Sequence, residues 1–114
     1  MSRMVNKGPG FAVLYRWRVH PEKEEAFVAA WTRISELYLS ERGSLGSRLH
    51  RGSDSLWYSY AQWPSSEARE KAFAAGTPDS QAFEQLRSAI IESLPEVTLE
   101  SVSDLLAPVQ SKDA

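Results

Sequence analysis

The side chains of this 114-residue chain whose type suits acid–base chemistry near neutral pH are His20 and His50, because cysteine is absent. His20 precedes Pro21 and reads as a surface residue at the end of a strand. His50 lies between Arg48 and Arg51, where an imidazole serves either as a hydrogen-bonded structural group or as the general base of a pocket. A third polar group stands out by its setting: Tyr15 puts a phenol into the otherwise apolar row Phe11, Val13, Trp17 and Val19. A buried hydroxyl without a partner costs on the order of 1–3 kcal/mol, so this one either bonds internally or serves a ligand or water. Tyr15 and His50 are therefore the candidate catalytic residues. Trp17, Trp57 and Tyr60 are the candidate substrate contacts, drawn from an aromatic set that also holds Trp31 and Trp63. Simple core packing is the competing reading for that set, and it is the preferred one for Trp31 and Trp63.

Several chemistries are excluded. Without cysteine there are no disulfides, thiolate metal sites, thiol nucleophiles or iron–sulfur clusters. The two histidines have no carboxylate partners at ligand spacing, so no metal is expected. The serines fall at turns and caps rather than in a Gly-x-Ser-x-Gly elbow, and Gly43-x-x-Gly46 reads as a helix exit rather than a phosphate loop. No cofactor is expected. Thirteen basic residues against 15 acidic ones leave a net charge of −2, which offers nucleic acid no footprint. Met1–Gly10 has no apolar core of a signal peptide, and no run approaches the roughly 18 apolar residues of a membrane span. A cytoplasmic protein with no membrane or nucleic-acid partner is the expectation.

The elements that must position these residues follow from periodicity. Residues 1–10 read as a flexible lead-in, 11–107 as one domain and 108–114 as a loose tail. Phe11–Val19 alternates with period two, a strand. Pro21 and the acids after it open a long amphipathic helix along Phe27, Ala30, Trp31, Ile34, Leu37 and Tyr38, stopped at Arg42-Gly43. Ser47–Arg51 and Leu56–Trp63 form a hairpin around residues 52–55. A short helix follows Pro64-Ser65-Ser66 and closes at Gly76. Thr77-Pro78-Asp79 reads as N-cap, first-turn proline and first-turn acid of another helix, whose stripe Phe83, Leu86, Ile90 and Leu94 ends at Pro95. A fourth strand is expected within Val97–Leu106.

The order β-α-β-β-α-β is the ferredoxin-like arrangement, an α+β fold with a four-stranded antiparallel sheet and helices on one face. The other sheet face should be polar if it met water. Yet Leu14, Tyr58 and Tyr60 lie opposite the Tyr15 and Trp57 parity, and seven of the twelve aromatic residues fall in the first and third strands. At roughly 25 cal/mol per Å² of apolar surface, leaving them wet would forfeit several kcal/mol. A second copy of the sheet is the expected cover, which makes the chain a homodimer. Arg16 and Arg18, on the same parity as Leu14, read as strand-edge or interface charges.

Three segments carry a family resemblance. Phe11–Val19 followed by His20-Pro21-Glu22-Lys23-Glu24-Glu25-Ala26-Phe27 is similar to the opening of the antibiotic biosynthesis monooxygenase domain. Ala61-Gln62-Trp63-Pro64-Ser65-Ser66-Glu67-Ala68 resembles its strand-to-helix junction, and Thr77-Pro78-Asp79-Ser80-Gln81-Ala82-Phe83 its later helix start. The resemblance spans Phe11–Leu106. It implies a dimeric α+β barrel with a pocket between sheet and helices. It also implies cofactor-independent oxidation of phenolic or quinol aromatics by O2, with His50 or a Tyr15-held water as base; a non-catalytic ligand-binding or stress-associated barrel is the alternative. Haem-degrading relatives resemble the chain less well. Their asparagine, tryptophan and histidine correspond to Tyr15, Ala72 and Ala82, and no histidine follows His50.

Overall fold

In the computed structural model, which describes residues 10–107, β1 (Phe11–Val19) is the spine of the sheet. It pairs antiparallel with β3 (Trp57–Trp63) from Phe11↔Trp63 to Trp17↔Trp57, and β3 pairs in turn with β2 (Gly46–Arg51). The other edge of β1 is shared. Phe11–Leu14 face β5 (Val97–Glu100), and Trp17–Val19 face β4 (Ile90–Ser93). A 3-10 turn at Pro21–Lys23 leads into α1 (Glu24–Glu41); α2 (Ser66–Ala74) and α3 (Ser80–Ala89) complete the helical layer. The chain thus has the expected ferredoxin-like α+β fold. Gly43 and Gly76, with φ of +84° and +89°, follow the ends of α1 and α2, where the left-handed turn excludes most side chains. The expected lead-in before residue 10 and the tail after 107 fall outside the described residues.

Three local expectations are corrected. Five strand segments replace four, because the last lane is split. Ile90 belongs to β4, not to a helix: α3 ends when the Ala89 carbonyl accepts the His20 amide at 2.9 Å, and the β-branched pair Ile90–Ile91 then suits a strand. Pro95 has no amide hydrogen to give a ladder, so pairing stops there and resumes at Val97. Arg16 bridges the gap: its carbonyl accepts the Leu94 amide, and its guanidinium donates to the Pro95 carbonyl, both at 2.9 Å. The strand expected within Val97–Leu106 is β5; residues 101–107 have no regular structure. Finally, Asp79 rather than Thr77 caps α3, its carboxylate accepting the Ala82 amide at 3.0 Å. Pro78 holds the chain extended ahead of the helix, which leaves the next residue in the capping position.

The interior has two halves. Val19, Phe27, Trp57 and Ala89 form one cluster, joined by Trp17, Leu49, Leu86 and Ile90. The Phe27 ring meets Trp17 and Trp57 edge-on at 5.5 and 5.3 Å. Val13, Trp63 and Ala72 form the other, joined by Phe11, Tyr15 and Tyr38.

The Ala82 amide, and then the Arg33 guanidinium, hold the Asp79 carboxyl below its ordinary range. A lowered native pKa stabilises the fold above the unfolded value and is lost as pH falls through the native one. Asp79→Ala should therefore lower the melting temperature at neutral pH, with the gap to wild type closing in acid, whereas Thr77→Ala should change it little. Equal losses from the two substitutions would return the cap to Thr77.

Candidate functional site

The second cluster differs from the first in holding two phenols, Tyr15 and Tyr38, and in meeting a guanidinium. Ser65 is extended and its hydroxyl accepts the Ala68 amide at 3.1 Å, which starts α2 over the end of the β1–β3 ladder. Arg69, one turn in, reaches down beside the sheet. Its Nη2 donates to the Tyr15 hydroxyl at 3.0 Å and to Glu96 Oε1 at 2.8 Å. Glu96 lies in the break between β4 and β5. The guanidinium rests 4.8 Å from the Phe73 ring centre and 5.6 Å from that of Tyr15. Only 14% of the Arg69 side chain is exposed.

Aromatic rings surround this pair. Tyr15 stacks on Trp17 at 5.7 Å, and Phe73, Tyr38 and Trp63 pack around one another at 5.5–6.0 Å. Two buried donors in this cluster have no acceptor among the described residues: Arg69 Nε and Trp63 Nε1. A buried N–H without a partner is costly, and it is a position ready for an incoming oxygen.

Burial pushes the Tyr15 phenol above its ordinary pKa, and the adjoining Arg69 charge offsets that only in part. Burial also works against the Arg69 charge, but the bonds to Glu96 and Tyr15 outweigh it and raise its pKa. Tyr15 is thus neutral at physiological pH. Because Arg69 donates to the phenol oxygen, the phenol hydrogen is left to be donated elsewhere. The arrangement can bind and stabilise a negatively charged oxygen beside an aromatic ring. Tyr15 itself is a donor here rather than a base.

The expected site residues do not all converge. Tyr15 and Trp17 lie together on the helix side. Trp57 pairs with Trp17 on that same face but belongs to the first cluster, wedged against Phe27 and covered by Arg51 at 4.8 Å. Tyr60 pairs with Leu14, and His50 with Tyr58, so both project from the opposite face, and His50 is exposed. Successive strand residues alternate in direction, and the sheet therefore separates Tyr15 from His50. The expected single pocket holding both is corrected on that ground. On the opposite face, Tyr60 and Leu106 border two open grooves of about 270 Å³ each. Trp31 donates to Ser59 Oγ at 3.1 Å, a satisfied core contact. Arg18 pairs with Glu92 across the β1–β4 ladder rather than at a free strand edge.

Sequence reasoning missed Arg69, Glu96 and Tyr38. Ser66–Ala74 has almost no apolar stripe, so its arginine reads as solvated. The available signal was Phe73 four residues after Arg69, a spacing that stacks the two on one helix face. Among the described residues, no cluster of three or more His, Asp or Glu residues suits a metal, and no helix is long and apolar enough to cross a membrane.

Residues 10–86 match the profile of the family described as antibiotic biosynthesis monooxygenase. Solved structures share the fold. The monooxygenase from the gene ActVA-Orf6 of Streptomyces coelicolor, in complex with nanaomycin D, is 23% identical, with a TM-score of 0.69 over 88% of this chain and 94% of that one. SnoaB, a cofactor-independent oxygenase from Streptomyces nogalater, is 18% identical, with a TM-score of 0.67 over 83% and 95%. A protein from Bordetella bronchiseptica described as a putative antibiotic biosynthesis monooxygenase is 17% identical, with a TM-score of 0.71 over 85% and 100%. No protein of curated function matches the chain.

The Tyr15–Arg69 contact should be measurable as a coupling. In a double-mutant cycle of Tyr15→Phe and Arg69→Met, urea unfolding should show the two losses to be non-additive by about 1 kcal/mol. Strict additivity would mean that the hydrogen bond contributes nothing to stability.

Proposed function

Because the chain belongs to the antibiotic biosynthesis monooxygenase family, we propose that it is a homodimeric, cofactor-independent oxygenase of phenolic or quinol aromatics. Its pocket lies beneath α2. The observation that carries this reading is the Tyr15–Arg69 pair, a neutral phenol donor and a fixed cation set among aromatic rings.

A substrate phenol placed beside the pair has its anion stabilised by the Arg69 charge and the Tyr15 hydrogen. Its proton leaves to water at the exposed Glu96 edge. The phenolate passes an electron to O2, and the resulting pair combines into a carbon–oxygen bond. Loss of water then gives the quinone. One oxygen atom ends in the product and the other in water, and the substrate supplies every electron, so no reductant is consumed. Tyr15 orients the substrate, while Trp17 and Trp63 form walls that keep water from the reactive pair. Trp57 acts behind Trp17, supporting it from the neighbouring strand. Tyr60 and His50 belong to the opposite face, where a second copy covers Leu14, Val97 and Leu99; the last two are 40% and 38% exposed in the single chain. A second reading, a ligand-binding barrel without turnover, is favoured by one observation: the protein's own Phe73 and Tyr38 rings pack on each other at 5.5 Å beside the pair.

Two measurements decide between these readings. With hydroxynaphthalenes and isotopically labelled O2, wild type should place label in a quinone product. Tyr15→Phe should then lower kcat/KM about tenfold, or about 1.4 kcal/mol, while His50→Ala leaves it unchanged. Absence of label across the panel would favour the binding barrel instead. Sedimentation equilibrium at micromolar concentration should return twice the 12.8 kDa chain mass, and a monomer would remove the proposed cover of the far face.

A further inference from the structure

The two partners that Arg69 holds are themselves informative. One is a phenol and the other a carboxylate, both supplied by the protein and both bound by Nη2 at 3.0 and 2.8 Å. Glu96 is not part of the sheet; it stands in the break after Pro95, and 42% of its side chain is exposed. Arg69 by contrast is nearly buried, with Nε unpartnered, and Trp63 Nε1, on a residue only 3% exposed, is unpartnered too. Both orphan donors belong to side chains that pack on the Phe73 ring, with Arg69 at 4.8 Å and Trp63 at 6.0 Å. The cluster thus offers more donors than its internal acceptors use. Its most accessible acceptor is the one easiest to withdraw.

We propose that Glu96 occupies the anion position of Arg69 as an internal stand-in, and that the ligand of this pocket is a planar aromatic carboxylate that displaces it. The ligand carboxylate takes the place of the Glu96 oxygen on Nη2 and reaches the free Nε, the bidentate geometry that guanidinium favours. The aromatic ring lies against Phe73 and Tyr15. Entry requires a small movement of α2, which buries Ala72 alone and carries the 42%-exposed Phe73. Arg42 holds the far end of that helix by donating to the Ala72 and Gly76 carbonyls at 3.1 and 2.7 Å, so the ring-bearing turn is pinned at its exit. This inference rests on the pocket position proposed above but not on oxygenation.

The test is calorimetric binding of 2-naphthoate and of its neutral analogue 2-naphthamide, without oxygen, to the full chain. Wild type should bind the carboxylate at least about tenfold more tightly than the amide. Glu96→Gln should tighten the carboxylate about tenfold again and leave the amide unchanged, because it removes a competitor of like charge. Arg69→Met should abolish the preference; should that variant fail to fold, Arg69→Lys, which keeps the charge but not the fork, should reduce it. Equal binding of the two probes, binding of neither, or a preference that survives Arg69→Met would each overturn the proposal. Oxidation of neutral phenols with no carboxylate preference would overturn it while leaving the oxygenase reading intact. Charge-selective binding without turnover would do the reverse.

Discussion

The register between β1 and β3 sorts every large side chain of the sheet onto one of two faces. With Trp17 opposite Trp57 and Tyr15 opposite Ser59, the six tryptophan and tyrosine side chains of the two strands divide: Tyr15, Trp17, Trp57 and Trp63 face the helices, and Tyr58 and Tyr60 face the other side. The small Ser59, 2% exposed, is what leaves width beside Tyr15 and gives Trp31 its acceptor. A slip of β3 by one residue would turn Tyr58 and Tyr60 under the helices and send Trp57 away from Phe27 and Trp17. Such a slip would forfeit several kcal/mol of apolar burial, which is why the pairing is well specified.

Along that ladder the interior changes character. At the Trp57 end, Phe27 fills the space between two indoles, and the packing consists of ring edges and aliphatic groups. At the Trp63 end the rings carry hydroxyl and N–H groups, and a guanidinium enters among them from α2. The first half resists change because any vacancy costs dispersion contacts as well as transfer energy. The second is held by directional bonds to groups on a thinly anchored helix and an interrupted strand. Close apolar packing and directional polar bonding are thus assigned to opposite ends of one sheet.

Strong periodicity made the fold readable from the residues. Phe11–Val19 alternates without interruption, the Phe27–Tyr38 stripe spans a whole helix, and Ser65 and Gly76 mark the two ends of the next. Where two signals overlapped, the reading went astray. Ile90 and Leu94 extend a helical stripe from Phe83, but Ile90 is also β-branched and faces an unpaired edge of β1, and the tertiary pairing prevails. The site was half readable. Tyr15 stood out as a lone polar group in an apolar row, whereas its partners lie 54 residues away on a polar helix and 27 further on after a proline. No local pattern encodes such a meeting. The pairing of Tyr15 with His50 failed for a simpler reason, since face assignment in β2 depends on a register that only β3 supplies.

The interruption at Pro95 makes the edge of β1 a lane in two sections with independent registers. Residues can be added or removed between Ser93 and Val97 without dragging either section along its ladder, because loop closure penalises length only weakly. Each such change would shift the carboxylate that faces α2 while the sheet stays in place. Insertions and deletions at this one point are therefore a natural route by which descendants of this chain can diverge in the charge that meets α2, at little cost to their ability to fold.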